Sequence, residues 1–383
     1  MKRLIIYKLL FVFLLGCTSK ETDNDCLVLN VKMEDTGISF NELFKRIDLI
    51  PLETKDSSYI KQIVQIYLFN DTLFVFDRAL KSLFIFDGVS GKHINTIMRV
   101  GQGPGEYTFV DDVIIDPSHR TISLLSPFCF INTYNYDGQF IEKINLPNPP
   151  VAYNQIKDFN DSTYIAWGNT YPNPENWGNI FLIHKETKQI LNTYWKKQGV
   201  EDAFVLYCFW HYDNNVYFSS RVTNKVYQIT MNDCILAYRW NFDKYNIDKY
   251  REKKIIRVEP QERTMKIQTI FEEMKSSEVL YSFLQKFENK NYYYAQINFK
   301  TEKHLSPHVF YQKETDKSYY FFKTTEGLSF WTYIFNDDYL IGELLPDGRD
   351  DLLNSNLLSE EDRQALKDMK YDDNPILVKL YFK

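Results

Sequence analysis

The chain has 383 residues, a formal net charge of −6 at pH 7 and an aromatic content of 16%. The acidic balance argues against nucleic acid, and against an anionic lipid surface, as the main partner. Aromatic and β-branched residues occur in short bursts separated by Asn, Asp and Gly, a pattern that favours half-buried strands. Composition and patterning together predict an all-β protein.

The first residues have the pattern of a secretory signal. Met1-Lys2-Arg3 is basic, and the apolar run from Leu4 to Leu15 that follows is too short to span a bilayer. We therefore predict a signal peptide over residues 1–16.

The signal ends in Leu14-Leu15-Gly16-Cys17, which resembles the lipobox of bacterial lipoproteins. The resemblance implies cleavage before Cys17 and acylation of its thiol and new amine, and two or more acyl chains anchor a protein stably. Residues 17–39 would then be a polar lipidated tether. Thr18 follows the cysteine where Asp would imply retention in the inner membrane, so the resemblance implies the outer membrane, facing the periplasm or the cell surface. The alternative is an ordinary cleaved signal in which Cys17 has no role.

Four further cysteines lie at positions 26, 129, 208 and 234. They have no CxxC or Cys/His spacing, so we expect neither a metal site nor a cofactor. Cys208 and Cys234 fall within one repeat and could form a disulfide in an oxidising compartment. Buried free thiols are the favoured interpretation, because free cysteine packs as a small hydrophobic residue.

A unit of strand, turn, strand, loop and strand recurs six times after Tyr59, with the period of about 40–50 residues that is typical of a β-propeller. Six Asn-, Asp- or Pro-containing turns mark the first hairpin of each unit, because their side chains favour tight turns. These turns are Asn70-Asp71, Pro117-Ser118, Asn160-Asp161, Asp213-Asn214-Asn215, residues 288–291 and Asn336-Asp337-Asp338.

The last unit ends after its third strand, ILVKLYF from Ile376. The alternating segment from Leu43 to Glu53 can supply the missing fourth strand and close the ring, which removes an open sheet edge. The sequence therefore predicts a six-bladed β-propeller of four-stranded antiparallel blades over residues 40–383.

Two insertions interrupt this rhythm, near residues 242–277 and 345–375. The first contains apolar residues at near-helical spacing from Gln261 to Lys275, and the second has a helix start with capping spacing at Ser359. Both insertions should lie at the same end of the ring, because one joins two blades and the other joins a second strand to a third. They form a binding surface there or simply cover the ring.

The stretch Gly101–Tyr107 reads GQGPGEY, and with the later INTYNYDGQFI it resembles the repeats of NHL-type propellers. Together with IPLET from Ile50, LFVFD from Leu73 and the lipobox, it resembles the six-bladed β-propeller lipoproteins of gut-type Gram-negative bacteria. The resemblance implies a fold and an envelope location and little chemistry. We expect the three glycines to serve the loop conformation rather than to cradle phosphate, because no Lys-Ser/Thr pair and no helix follow.

Five residues are candidates for ligand contact at the mouth of the central channel: Arg78, Trp167, Tyr171, Trp177 and Arg221. All five lie in or beside loops expected at one end of the ring, and aromatic and guanidinium side chains are strong binding anchors. Aromatic residues that merely pack their own loop are the competing interpretation.

No catalytic residue is predicted, since neither GxSxG nor HExxH occurs. The adjacent acids Asp111 and Asp112 are interpreted as solvated turn residues rather than as an acid–base pair. The favoured function is a lipid-anchored, non-catalytic module that binds a glycan or a protein. The alternative is a channel-centred lyase or hydrolase of the NHL-propeller kind, whose site could be assembled from distant loops.

Overall fold

The computed structural model describes residues 26–148, 152–169, 178–196, 207–247, 260–299 and 306–383. Its strands form six sheets that correspond to six blades, and each blade contains four antiparallel strands. The predicted fold is therefore confirmed.

The strands of the first three blades follow the chain in order. Blade 1 contains β3 (Gln65–Phe69), β4 (Thr72–Asp77), β5 (Ser82–Asp87) and β6 (His93–Ile97). Blade 2 contains β7 (Asp112–Asp116), β8 (Thr121–Ser126), β9 (Phe130–Asn135) and β10 (Phe140–Asn145). Blade 3 contains β11 (Ala152–Asn160), β12 (Thr163–Asn169), β13 (Ile180–His184) and β14 (Ile190–Tyr194).

The remaining blades include two strands from the start of the chain. Blade 4 contains β15 (Phe209–Tyr212), β16 (Asn215–Phe218), β17 (Lys225–Ile229) and β18 (Cys234–Asn241), with β1 (Leu27–Asn30) at its outer edge. Blade 5 contains β19 (Ser282–Glu288), β20 (Tyr292–Asn298), β21 (His308–Gln312) and β22 (Ser318–Phe321). Blade 6 contains β23 (Phe330–Phe335), β24 (Tyr339–Leu344), β25 (Ile376–Phe382) and β2 (Phe44–Pro51).

The predicted turns connect the first and second strands of every blade, and their backbone explains the choice of residues. Asn70 and Asp71 have φ angles of 47° and 57°, and Asp213 and Asn214 have φ angles of 47° and 59°. Two consecutive positive φ angles are the mark of a hairpin turn whose twist matches the flanking strands, and Asn and Asp tolerate them best among residues with a side chain.

The ring closes as predicted. β2 pairs antiparallel with β25 from Phe44↔Phe382 to Pro51↔Ile376, so the N-terminal segment supplies the outer strand of blade 6. The sequence did not predict β1, which pairs in parallel with β18 and adds a fifth strand to blade 4. Leu29 of β1 is fully buried, so this part of the chain belongs to the packed body of the protein.

The described core divides into six hydrophobic clusters, and each lies between two neighbouring blades. β4 shows how the alternation of a strand produces this: Phe74 and Phe76 face blade 2, whereas Leu73 and Val75 face blade 6. Successive side chains of a strand point to opposite faces, so every blade is apolar on both faces and is buried between its neighbours.

The helices of the described ranges are short or lie in the two insertions. They are α1 (Phe40–Leu43), α2 (Pro260–Ser276), α3 (Arg349–Asn354) and α4 (Glu360–Asp368). Ile270 and Met274, one turn apart on α2, are buried in the cluster between blades 4 and 5. At the start of α4, the Ser359 hydroxyl accepts a hydrogen bond from the backbone N–H of Asp362, as the capping spacing predicts. No described helix has the combination of length and apolar character needed to cross a bilayer.

The GQGPGEY loop joins blades 1 and 2, and its contacts are those of a structural connection. Gly105 has a φ angle of +70°, and a Cβ atom there would lie 2.5 Å from the ring of Phe140. The Tyr134 hydroxyl donates to the carbonyl of Gly105, and the Glu106 carboxylate accepts from the N–H of Gly103. The Glu106 carboxylate thus accepts the backbone hydrogen bond that a bound phosphate would need.

Candidate functional site

The candidate site lies at the end of the ring that carries the between-blade connections and the loops between second and third strands, which we call the entry face. Antiparallel pairing places these two kinds of connection at the same end of each blade. Both helical insertions are connections of these kinds, since α2 precedes β19, and α3 and α4 lie between β24 and β25. The inner strand of each blade starts at this face and lines the channel.

Arg78 reaches the entry face from the loop between β4 and β5. The preceding Asp77 is buried, and its carboxylate accepts hydrogen bonds from the backbone N–H groups of Lys61, Gln62 and Leu80. These bonds fix the start of the loop. The Arg78 guanidinium then lies 2.6 Å from a carboxylate oxygen of Asp111.

Asp111 links three blades at this face. It precedes β7 of blade 2, pairs with Arg78 of blade 1, and accepts a hydrogen bond of 2.9 Å from the side-chain amide of Asn154 in blade 3. The arrangement presents a guanidinium, a carboxylate and an amide side by side, so it offers both donors and acceptors to a ligand.

Tyr207 lies between the two predicted arginines. It precedes β15 of blade 4, which is opposite blade 1 in a six-bladed ring. Burial, helped by the nearby charge of Asp112, raises the pKa of Tyr207 to about 12. The charges of Arg78 and Arg221 lower this pKa by less. Burial lowers the pKa of Arg78, but Asp111 and the Tyr207 hydroxyl outweigh that effect and raise it. Tyr207 therefore lies within electrostatic reach of both arginines.

Arg221 belongs to the loop between β16 and β17, and its backbone carbonyl accepts a 2.7 Å hydrogen bond from the N–H of Phe283 in blade 5. Burial lowers the pKa of its guanidinium, and the hydroxyl of Tyr207 raises it by less. Its Nε is buried and has no hydrogen-bond partner among the described residues. Arg221 therefore differs from Arg78, whose charge Asp111 neutralises.

A narrow cavity of about 10 Å³ opens beside Arg221. It has room for about one water-sized group. Its lining combines cationic, amide, hydroxyl and aromatic side chains: Tyr207, Trp210, Ser219, Ser220, Arg221, Phe283, Leu284, Gln285 and Lys286.

A second polar network lies deeper in the ring, below Asp111. The Lys157 ammonium lies 3.1 Å from a carboxylate oxygen of Asp112 and donates a 2.8 Å hydrogen bond to the Tyr67 hydroxyl. Burial lowers the pKa of Lys157, but Asp112 and Tyr67 outweigh burial and raise it well above its ordinary value. The network joins the inner strands of blades 1, 2 and 3.

The structure separates the five predicted contact residues. Arg78 and Arg221 lie in entry-face loops of opposite blades, and Tyr207 interacts with the charge of each. The structure places Trp167 in the cluster between blades 3 and 4, where the ring is 4% exposed and stacks on Phe218 with centroids 5.6 Å apart. Trp167 thus packs as a core residue. Tyr171 and Trp177 lie outside the described residues.

The interpretation of the paired acids was wrong. Asp111 is 8% exposed and Asp112 is fully buried, because each carboxylate has a cationic or amide partner from another blade. The sequence analysis also missed Tyr207 and Asn154. The one local signal was two consecutive acids at the start of an inner strand, at the end of the ring where the channel opens.

None of the four cysteines in the described ranges forms a disulfide. Cys208 precedes the innermost strand of blade 4, whereas Cys234 begins the fourth strand. Three strand spacings separate them by about 14 Å, which is beyond the roughly 7 Å between Cα atoms that a disulfide can bridge. Within the described ranges, no three His, Cys, Asp or Glu side chains form a group that could hold a metal ion.

Comparison with known families and structures identifies one family and a shared fold. A family described as a domain of unknown function, DUF4934, matches residues 26–381. A protein from Bacteroides fragilis NCTC 9343, described as exported, has a crystal structure that matches with a TM-score of 0.71 at 17% identity, covering 93% of this chain and 99% of that one.

A second crystal structure, of a DUF4221 family member from Bacteroides vulgatus, matches with a TM-score of 0.58 at 10% identity, covering 89% of this chain and 97% of that one. At these identities the two matches concern the fold alone. No curated protein sequence matches the chain.

Proposed function

We propose that this chain, which belongs to the DUF4934 family of domains of unknown function, is a lipid-anchored binding module of the cell envelope. It takes a glycan or a protein at the entry face of its propeller and does not transform it. The observation that carries this proposal is that Tyr207 lines one cavity with Arg221 and also interacts with Arg78 of the opposite blade.

The envelope location is supported by the start of the chain. The signal-type leader over residues 1–16 and the lipobox that ends at Cys17 support export and acylation. The structurally similar B. fragilis protein is described as exported. With Thr18 after the cysteine, we propose the outer membrane as the place of anchoring. The resemblance of the GQGPGEY connection to NHL-type repeats belongs to the same proposal.

The protonation state of the site supports binding over catalysis. With its pKa raised to about 12, Tyr207 stays protonated at neutral pH and donates hydrogen bonds rather than abstracting protons. Arg78 is already paired with Asp111, so that carboxylate is held as an ion-pair partner. A lyase or hydrolase would need a base with a pKa near the working pH, and neither the Tyr207 phenol nor the Arg78 guanidinium supplies it.

The experiment is a binding screen with the full-length protein in detergent against glycan and secreted-protein arrays. We compare the wild type with Arg78→Ala and Arg221→Ala, and use Arg46→Ala as the matched control because Arg46 lies on β2 with a 58% exposed side chain. Loss of binding in the first two variants with an unchanged control supports the entry-face site.

Two outcomes contradict the proposal. A ligand whose affinity is the same in all three variants binds elsewhere on the molecule. A ligand that the wild type cleaves, seen as new reducing ends or new unsaturated sugar products, makes the protein an enzyme of the alternative class.

A further inference from the structure

The N-terminal segment joins the ring at a defined place, the outer edge of blade 4. β1 is the outermost strand of that blade and pairs in parallel with β18, beginning at Leu27↔Tyr238. Leu29 is fully buried in the cluster between blades 4 and 5, and the N–H of Val31 donates to the carbonyl of Asn241. The chain is therefore fixed to the rim of blade 4 from its first described strand.

The length of chain before this strand limits which part of the ring can approach the anchored residue. Nine residue steps lead from Cys17 to Cys26, and nine residues span at most about 32 Å when fully extended. Four strands spaced about 4.8 Å apart make a blade about 14 Å deep, so two opposite blades and the channel between them place opposite rims roughly 45 Å apart. The rim of blade 1, opposite blade 4, therefore cannot rest on a membrane that holds Cys17.

Exposed apolar side chains gather at the edge where the chain joins. Leu27 lies on β1, Ile235 lies on the adjoining β18, and Met231 lies in the turn before β18. The carbonyl of Met231 accepts a hydrogen bond from the side-chain amide of Asn192, which brings the neighbouring Leu191 of blade 3 to the same edge. We call Leu27, Leu191, Met231 and Ile235 the blade-4 rim patch, and each of the four is 38–48% exposed.

Two other surfaces are less suited to a membrane that holds Cys17. Ile94 and Met98 are also exposed apolar residues, but they belong to the outer edge of blade 1, which the chain length keeps away. The end of the ring opposite the entry face carries the hairpin turns, where Asp71, Asp213 and Asp337 are exposed. Carboxylates are costly to bring against lipid, so this end is unsuited as well.

We infer that the blade-4 rim patch rests on the surface of the phospholipid bilayer that holds the Cys17 acyl chains, with the channel axis along the membrane plane. The inference rests on the lipid anchor of the proposed function and adds which surface of the propeller the membrane covers. The entry face then opens sideways, next to the membrane, and stays accessible to a glycan or a protein.

The anchor explains how a patch of four side chains is sufficient. Once Cys17 is held in the bilayer, contact of the patch with lipid is intramolecular, so a surface too small to bind from solution can still dock. The net charge of −6 gives no attraction to anionic lipid. The contact should therefore depend on apolar burial and be insensitive to salt.

The test is photocrosslinking of the full-length lipidated protein, reconstituted from detergent into phosphatidylcholine vesicles. A benzophenone amino acid replaces Ile235 in one sample and Ile94, on the opposite rim, in the matched control. We expect lipid adducts from position 235 and only background from position 94. Adding Leu27→Ser should lower the adducts from position 235 by about 3- to 10-fold, as loss of half of a leucine's apolar burial would do, whereas adding Ile94→Ser should not.

Melting temperatures separate a lost lipid contact from a damaged fold. Met231→Ser repeats the substitution in a turn, where no strand pairing is disturbed, and it should lower the adducts at an unchanged melting temperature. Adducts that stay the same in both Leu27→Ser and Met231→Ser overturn the patch.

Other results overturn the inference and are distinguishable from failure of the proposed function. Equal adducts from positions 235 and 94, or adducts that disappear at high salt, refute the apolar contact and keep the anchor. Adducts mainly from a benzophenone at Phe109, an exposed residue between blades 1 and 2, would mean that the membrane covers the entry face. A wild-type protein that does not stay with the vesicles refutes the lipid anchor and, with it, the rim contact.

Discussion

The ammonium of Lys157 lies 3.1 Å from a carboxylate oxygen of Asp112, and the Asp112 side chain is completely shielded from solvent. The other oxygen of Asp112 accepts a 2.8 Å hydrogen bond from the backbone N–H of Ile156. One carboxylate of blade 2 therefore binds two groups of β11 in blade 3. This contact holds the inner strands in register directly below the residues that form the entry-face site.

Removing the cation of this pair should be strongly destabilising. Lys157→Met leaves the buried Asp112 carboxylate without its counter-charge, and breaking a buried ion pair in this way costs about 3–5 kcal/mol of unfolding free energy. Urea denaturation measures the loss. Adding Asp112→Asn to Lys157→Met should recover part of it, because the uncompensated charge is then gone.

Lys185→Met is the matched control for this prediction. Lys185 pairs with Asp158 at 2.6 Å, but the two side chains are 25% and 44% exposed. An ion pair with this much solvent exposure contributes about 0–1 kcal/mol to the unfolding free energy. Equal destabilisation by Lys157→Met and Lys185→Met would mean that burial of the Asp112 pair has no energetic consequence.

Ring closure can be tested at Phe44 of β2. Its ring is fully buried and packs against Phe382 of blade 6 and Phe310 of blade 5, with centroids 5.4 and 6.0 Å away. Phe44→Ala should lower the unfolding free energy by about 3–5 kcal/mol. The neighbouring Lys45 is exposed, so Lys45→Ala should have almost no effect.

Deleting residues 40–52 is the more severe form of the same test. It removes all of β2 and unpairs β25 along its length, so a cooperative melt should be lost. A deletion variant that still unfolds cooperatively at the wild-type temperature would show that the ring is held together without this strand.

The fold was predictable because its signals are local. Paired Asn and Asp residues at hairpin turns, such as Asn70 and Asp71, mark positions where the backbone requires positive φ angles. The truncated last repeat also predicted the β2–β25 pairing, since the fourth strand of the last blade had to come from the N-terminal segment. By contrast, β1 is a four-residue strand, LVLN, next to a polar stretch, and nothing in so short a pattern specifies a parallel partner 211 residues later in the chain.

The site was only partly predictable because its partners come from different blades. Arg78 and Arg221 were recognised as loop residues, but Tyr207 and Asn154 carry no local signal that they meet them. Trp167 was interpreted as a loop residue, although Ile165, two positions earlier, faces the same cluster. The period of two along β12 could have assigned Trp167 to the core.

His308 should make stability depend on pH in the acid range. The ring is 1% exposed, and its Nδ1 lies 2.8 Å from the Tyr294 hydroxyl, which also contacts Thr332. Burial lowers its pKa to about 3, against a weaker opposite effect of the hydrogen bond to the Phe330 backbone. In the unfolded chain, the imidazole protonates near its ordinary pKa of about 6.5.

Since the folded-state pKa is depressed, the stability contributed by the neutral ring is fully present above about pH 6.5 and is lost as pH falls toward 3. The slope is up to about 1.4 kcal/mol per pH unit. His308→Phe should flatten the pH dependence of the unfolding free energy in this window. Identical slopes in the wild type and His308→Phe would contradict the assignment.

Cys17 should be the residue that holds the protein on the membrane. If the lipobox is processed, the mature chain begins at Cys17 with a diacylglycerol on its thiol and an acyl chain on its amine, and this number of chains anchors a protein stably. Cys17→Ser removes the acceptor thiol, so the protein should move from the detergent-requiring membrane fraction to the soluble fraction. Metabolic labelling with palmitate should disappear in the same variant. Cys26→Ser is the control, since Cys26 lies next to β1 and outside the lipobox, and it should leave both readouts unchanged. If Cys17→Ser still requires detergent for extraction, the anchor lies elsewhere in the chain, and the lipoprotein assignment is wrong even though the propeller is unaffected.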